Sequence, residues 1–159
     1  MDPASEVHGV PHWDRVAANA RLLVSRIETG ADLAVTVWFA YLHDCCRHND
    51  AEDPEHGHRA AALARSLWFD GKLHLYAHEF QELFEAIRDH STGRMQGPLL
   101  ARICWDADRL DLPRVGTMPD PGHMCTTIGQ KLAGQMKPKT KLRVGHGHGL
   151  LIPRYRRSG

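Results

Sequence analysis

Val16, Ala20, Leu23 and Ile27 recur at spacings of three and four, which gives one apolar face to a helix in an otherwise mixed stretch. Pro11 suits the first turn of that helix and Gly30 its end. Asp32 suits the N-cap of a second helix. There Leu33 to Leu42 is apolar on nearly all sides. Its β-branched residues would also suit a strand, but its length and helical neighbours favour a central buried helix. The polar stretch 47–53 reads as a loop. Pro54 is expected to open a third helix running to about Trp68, followed by a turn at Phe69-Asp70-Gly71. A fourth helix is predicted from about Lys72 to Asp89, with Leu73, Tyr76, Phe80, Leu83, Phe84 and Ile87 inward. It ends at His90, before the loop Ser91-Thr92-Gly93-Arg94. Leu99 to Leu112 reads as a fifth helix. Pro113, Pro119 and Pro121 break the chain, and a short helix is expected over roughly 122–134.

The pattern changes at Lys137. Residues 137–159 are basic and rich in glycine, with few core candidates, and are expected to form an extended or partly disordered tail. Gly145-His146-Gly147-His148-Gly149 falls in that tail and reads as a loop without rigid support. The expected organisation is one all-α domain over residues 1–136, a bundle of five to six helices, followed by the tail. The length of 159 residues suits one domain with a real core.

Composition narrows the chemistry. A net charge of +1 excludes a chain that is a nucleic-acid-binding polycation throughout. Four cysteines without a CxxC pattern argue against a zinc ribbon and against a disulfide framework. They read as reduced thiols, and Cys45, Cys46 and Cys104 as packing residues. The acidic start, Met1 to Glu6, lacks the apolar core of a signal peptide, and no apolar run approaches a membrane span. The expected compartment is the cytoplasm. Twelve histidines are the outlying count, and imidazole is both the commonest metal ligand and a proton carrier near neutral pH.

The histidines and acids fall at helix ends. His12 begins the first helix, His43 and Asp44 end the second, His56 begins the third, His90 ends the fourth, and Asp108 lies on the fifth. If consecutive helices run antiparallel, starts and ends alternate at one pole of the bundle, and these side chains gather there. Metal sites need such convergence from separate rigid elements, and a buried charge such as Asp44 needs a partner or an ion.

At these positions the chain resembles the HD-domain metal-dependent phosphohydrolases. His12, the His43-Asp44 pair and Asp108 follow the family's H…HD…D signature over about residues 8–126. His12-Trp13-Asp14-Arg15-Val16-Ala17 is similar to its first-histidine helix, and Asp106-Ala107-Asp108-Arg109-Leu110-Asp111 to its final-aspartate segment. Arg47-His48-Asn49-Asp50, Asp53-Pro54-Glu55-His56-Gly57 and Cys104-Trp105-Asp106-Ala107-Asp108-Arg109-Leu110 resemble a largely uncharacterised bacterial subgroup. The resemblance implies that Asp108 is the ligand and Asp106 a supporting residue beside it. It also implies that His56 and His90 hold a second ion, with Asp44 bridging the two. His58 competes with His56 but fits the register less well.

Imidazole and carboxylate ligands suit iron, manganese, zinc or cobalt. Two ions roughly 3.5–4 Å apart activate a hydroxide and polarise a phosphoryl oxygen. The implied activity is hydrolysis of a phosphoester or phosphoanhydride in a small, nucleotide-like molecule. Arg47 and Arg109, next to ligand positions, are the candidates for phosphate contact, and Arg94 the candidate to close over substrate. Two rival readings remain: a dinuclear-iron oxygenase on the same scaffold, and a non-catalytic, metal-stabilised protein whose basic tail binds nucleic acid.

Other residues read more plainly. His8 is four residues from His12, but Pro11 places it outside the helix, as a rim residue. His74 and His78 read as a solvated face. Trp13, Trp38, Trp68 and Trp105 read as core or pocket wall. Asp50 and Asp53 either orient a ligand histidine or solvate their loop.

Overall fold

In the computed structural model, residues 2–27 and 33–137 are described, and they form six α-helices and two short 3-10 turns without a strand among them. The helices are α1 (Val10–Arg26), α2 (Leu33–Leu42), α3 (His56–Phe69), α4 (Ala77–Asp89), α5 (Leu99–Arg109) and α6 (Thr127–Gln135). The 3-10 turns cover Leu112–Val115 and Pro121–His123. The expected all-α bundle is therefore the fold. The expectations for Gly30, Asp32 and the tail, including Gly145 to Gly149, lie outside the described residues. No helix among those described is long and apolar enough to cross a membrane.

Helix α1 packs on α2 and α5, α3 packs on α4, and α4 also packs on α2 and α5. The apolar stripe of α1 contributes Val16, Ala20 and Leu23, all fully buried. They meet Phe39 of α2, Leu83 and Ile87 of α4, and Ile103 and Trp105 of α5 in one core. Against α4, the inner face of α3 is built from Ala60, Ala61 and Ala64. Small side chains let the two helices approach closely, and Gly57 marks the tightest point. A Cβ there would lie 2.8 Å from the Arg88 carbonyl oxygen and 3.0 Å from that of Ile87. This close approach sets His56 beside His90.

Three expectations need correction. The third helix starts at His56, with Pro54 in the preceding turn. The fourth starts at Ala77, not Lys72. Lys72 and Leu73 donate their backbone N–H groups to the Leu67 carbonyl, which closes α3, and Glu79 accepts the Tyr76 N–H at 2.7 Å, which opens α4. Residues 72–76 therefore form a link in which Leu73 is buried, while Tyr76 is 76% exposed rather than inward. Finally, α2 is not enclosed on all sides. Leu33 and Trp38 face solvent, and of the four tryptophans only Trp105 is fully buried.

Beyond α5, α6 is tied back to the bundle by a buried carboxylate. Asp106 accepts hydrogen bonds from the backbone N–H groups of Cys125 (2.6 Å) and Thr126 (2.8 Å) and from the Thr126 hydroxyl (2.7 Å). The same hydroxyl caps α6 by accepting from the Gly129 N–H. Position 129 must be glycine, because a Cβ would stand 2.2 Å from an Asp106 oxygen.

Candidate metal centre

His12, His43, Asp44, His56 and His90 are buried and meet at one pole, with Asp108 half-buried beside them. Each comes from the helix end expected of it: α1 and α3 deliver their first turns, α2 and α4 the residues just past their last turns, and α5 its final turn. His58, His74 and His78 are exposed and belong to none of the donor groups among the described residues.

The four buried rings share a hydrogen-bonding scheme. Their Nδ1 atoms are held from outside. His12 Nδ1 donates to Asp111 at 2.8 Å, His43 Nδ1 to the Ala40 carbonyl at 3.0 Å, and His90 Nδ1 to the Ile87 carbonyl at 2.7 Å. His56 Nδ1 donates to the Asp53 carbonyl. Because each acceptor lacks a proton, each ring keeps its proton on Nδ1 and turns the Nε2 lone pair inward. The inward nitrogens then meet in pairs, His12 with His43 at 3.1 Å and His56 with His90 at 2.8 Å. Lone pairs so placed repel unless a metal cation stands among them or a proton is shared within each pair. Outer hydrogen bonds that orient imidazoles in this way are what metal ligands have, so the donor set fits divalent transition ions.

Asp44 lies between the two pairs. Its Oδ1 is 3.1 Å from His56 Nε2 and 3.4 Å from His90 Nε2. Its Oδ2 is 3.7 Å from the Nε2 atoms of both His12 and His43. Asp108 Oδ1 completes the second side, 3.4 Å from His12 and 3.8 Å from His43. Among the described residues three sets of donors able to hold an ion emerge: His12 with His43 and Asp108, His43 with Asp44 and His90, and His8 with His12 and Asp44.

The electrostatics follow the same layout. Burial pushes His43 down to about 4, so the ring is neutral near neutral pH, as a ligand must be. Burial also opposes charge on His12 and His90. Asp108 and Asp111 outweigh it at His12, and Asp44 outweighs it at His90, so both pKa values rise. Burial disfavours the carboxylate forms of Asp44 and Asp108, yet the imidazoles around them, His43 for Asp44 and His12 for Asp108, hold both well below the usual range.

The arginines fall differently. Arg47 is buried, with one guanidinium nitrogen 3.3 Å from both ring nitrogens of His56 and 3.8 Å from Asp44 Oδ1. Its other nitrogens donate to the carbonyls of Asn49 and Ala51. It also borders a cavity of about 380 Å³, with Glu52, His56, Ser91 and Thr92. Arg109 is not brought to the cluster by any hydrogen bond among the described residues. It donates to the carbonyls of Arg94 and His123 and contacts the Cys125 sulfur at 3.0 Å. Arg94 is held by Asp89 at 2.7 Å and lies over the Trp105 ring, so its side chain is tied down rather than a free closing arm.

Asp106 does not support the ligands. Its acceptors are spent on residues 125 and 126, and Asp111 fills the supporting role at His12. Asp50 accepts from Ser5, and the Asp53 carboxylate pairs with Arg59 and the His48 N–H, so only the Asp53 carbonyl orients a histidine. All four thiols are free, and burial with the neighbouring Cys46 pushes Cys45 up to about 12. Two residues of the cluster are not marked by the pattern of helix ends. Asp111 is three residues after Asp108, which was its available signal. His8 was placed at the rim, yet its Nδ1 is 2.7 Å from Asp44 Oδ2.

Neither the curated proteins nor the solved structures searched contain a match to this chain. Among family models, the HD domain matches residues 10–112. HD domains bind divalent metals and are generally metal-dependent phosphohydrolases. The match spans well over half of the chain and takes in His12, His43, Asp44, His56, His90, Asp108 and Asp111, and on that ground the chain belongs to the HD-domain family.

Proposed function

We propose that this protein is a dinuclear phosphohydrolase acting on a phosphoester or phosphoanhydride of a small, nucleotide-like molecule. One observation carries the reading: a single carboxylate, Asp44, offers one oxygen to His56 and His90 and the other to His12 and His43. A carboxylate so placed could serve two ions at once. His12, His43, Asp44 and Asp108 would hold one, and Asp44, His56 and His90 the other. Iron, manganese, zinc and cobalt all suit these donors. When bound, such ions supply an activated water and polarise a phosphoryl oxygen.

The chain's own residues do the rest. The cavity beside His56 receives the phosphorylated end of the substrate, with the Ser91 and Thr92 hydroxyls and Glu52 along its wall. Arg47 keeps the His56 ring and Asp44 in place and forms part of the lining of that cavity. The Nδ1 acceptors hold the imidazoles through turnover, so no reorganisation is needed as charge develops. In the reaction a water oxygen forms a bond to phosphorus, the bond to the leaving oxygen breaks, and that oxygen takes up a proton.

Elemental analysis of the purified chain, followed by phosphate release across a panel of nucleotides and sugar phosphates, tests the proposal. Two equivalents of transition metal and metal-dependent phosphate release are expected. Turnover that needs dioxygen and releases no phosphate would overturn hydrolysis in favour of oxygen chemistry at the same ligands.

A further inference from the structure

His8 lies two residues before the segment that matches the family, yet it reaches the centre of the cluster. Its ring stands edge-on to His12, with centroids 6.1 Å apart and an interplanar angle of 89°. His8, His12 and Asp44 each offer a donor atom within 4.8 Å of the others, a third group able to hold an ion. Only 13% of the His8 side chain is exposed.

The position is built by the surrounding chain. The turn before α1 is closed by the Gly9 N–H donating to the Ser5 carbonyl and the Val10 N–H to the Pro3 carbonyl, each at 2.9 Å. The Ser5 hydroxyl accepts from the N–H groups of Val7 and His8 and donates to Asp50 of the 47–53 loop. Arg114 grips the Val7 carbonyl at 2.6 Å. Gly9 permits the fold-back, since a Cβ there would stand 2.5 Å from the carbonyl oxygens of Pro3 and Ser5. Three separate parts of the chain thus fix the residues on either side of His8.

The orientation of His8 differs from that of the other four rings. They are held from outside at Nδ1 and turn Nε2 inward, whereas His8 turns Nδ1 inward. Its Nε2 makes no hydrogen bond among the described residues, so it is free to carry the ring proton when Nδ1 binds an ion.

We propose that His8 is a metal ligand, delivered by the N-terminal turn to the Oδ2 side of Asp44, next to His12. This rests on the reading of the cluster as a metal centre and adds a ligand that the family match does not contain. It makes the two sides of Asp44 unequal. The Oδ2 side is closed by the N-terminal turn, and the Oδ1 side, with His56 and His90, borders the cavity where substrate enters.

Zinc binding by the full chain, measured by competition with a chromophoric chelator, tests the proposal. His8→Ala should weaken the tighter zinc by tenfold or more while leaving two equivalents bound at saturation. His8→Gln can still hydrogen-bond Asp44 but is a poor ligand, and it should be weakened alike. In the wild type, zinc should slow hydrogen exchange of the Val7 to Val10 amides, and in His8→Ala it should not. Affinity within twofold of wild type in His8→Ala, or recovery of affinity in His8→Gln, would overturn ligation by His8 alone. A wild-type chain that binds no zinc would overturn the metal centre and His8 ligation together. Circular dichroism and a thermal melt establish that the variants fold.

Discussion

Replacing Asp106 by alanine removes three acceptor contacts at once, from the Cys125 and Thr126 backbone N–H groups and the Thr126 hydroxyl. The carboxylate is fully buried, so water does not replace it. Hydrogen bonds to a charged group contribute about 1.5–3 kcal/mol each. Three that share one carboxylate are not additive, and breaking a buried charged network costs about 3–5 kcal/mol. For a chain of this length that lowers the thermal midpoint by roughly 10–15 °C. Asp106→Asn keeps one acceptor but turns an amide donor toward donors, and should cost about 2–4 kcal/mol. Gly129→Ala should loosen the same anchor by pushing a Cβ against the carboxylate. Urea unfolding in chelator measures these losses, and zinc titration of the folded variants measures the metal centre. The expected result is a large loss of stability with zinc affinity kept. An Asp106→Ala protein as stable as wild type but tenfold weaker for zinc would refute the reasoning and return Asp106 to the support of the metal centre.

Asp111→Asn should do the reverse, weakening zinc by about 10–100-fold through misorientation of His12, as read by chelator competition. His56→Ala should retain one equivalent of metal and lose most phosphate release, and full activity in that variant would rule out the two-ion assignment. Gly57→Ala should cost about 1–3 kcal/mol in urea unfolding, because the new Cβ meets the backbone of α4, and should loosen metal binding at His56 and His90. Without metal, stability should peak near pH 6.5. His43, with its folded pKa lowered to about 4, loses stability as pH falls from 6.5, by up to about 3 kcal/mol. His12 and His90, with raised folded pKa values, lose theirs as pH rises above 6.5. Urea midpoints that rise steadily from pH 4.5 to 9 in chelator would contradict this.

Much of the centre was legible in the chain because helix ends alternate between the poles of an antiparallel bundle. A histidine at a helix start and one at the next helix end meet without any knowledge of packing. The fourth helix was misplaced for a related reason. Leu73 and Tyr76 continue its spacing, but the capping contact of Glu79 with the Tyr76 N–H starts the helix later, and spacing carries no record of that bond.

By itself the sequence determined the helical class, the candidate imidazoles and carboxylates and their gathering at one pole, since these follow from side-chain chemistry and residue spacing. Tertiary structure alone decided what Asp106 and Asp111 do, Asp106 anchoring α6 and Asp111 holding His12. Asp106 and Asp108 are two residues apart, about 200° around a helix, so only one can face the pole. Packing of α6 takes Asp106, and His12 takes Asp108 and Asp111. The same holds at the N-terminus, where Pro11 keeps His8 out of the helix. The fold-back at Gly9, fixed by Asp50 and Arg114 from distant segments, then returns it to Asp44. Contacts between residues far apart in sequence set these orientations, and no local pattern encodes them.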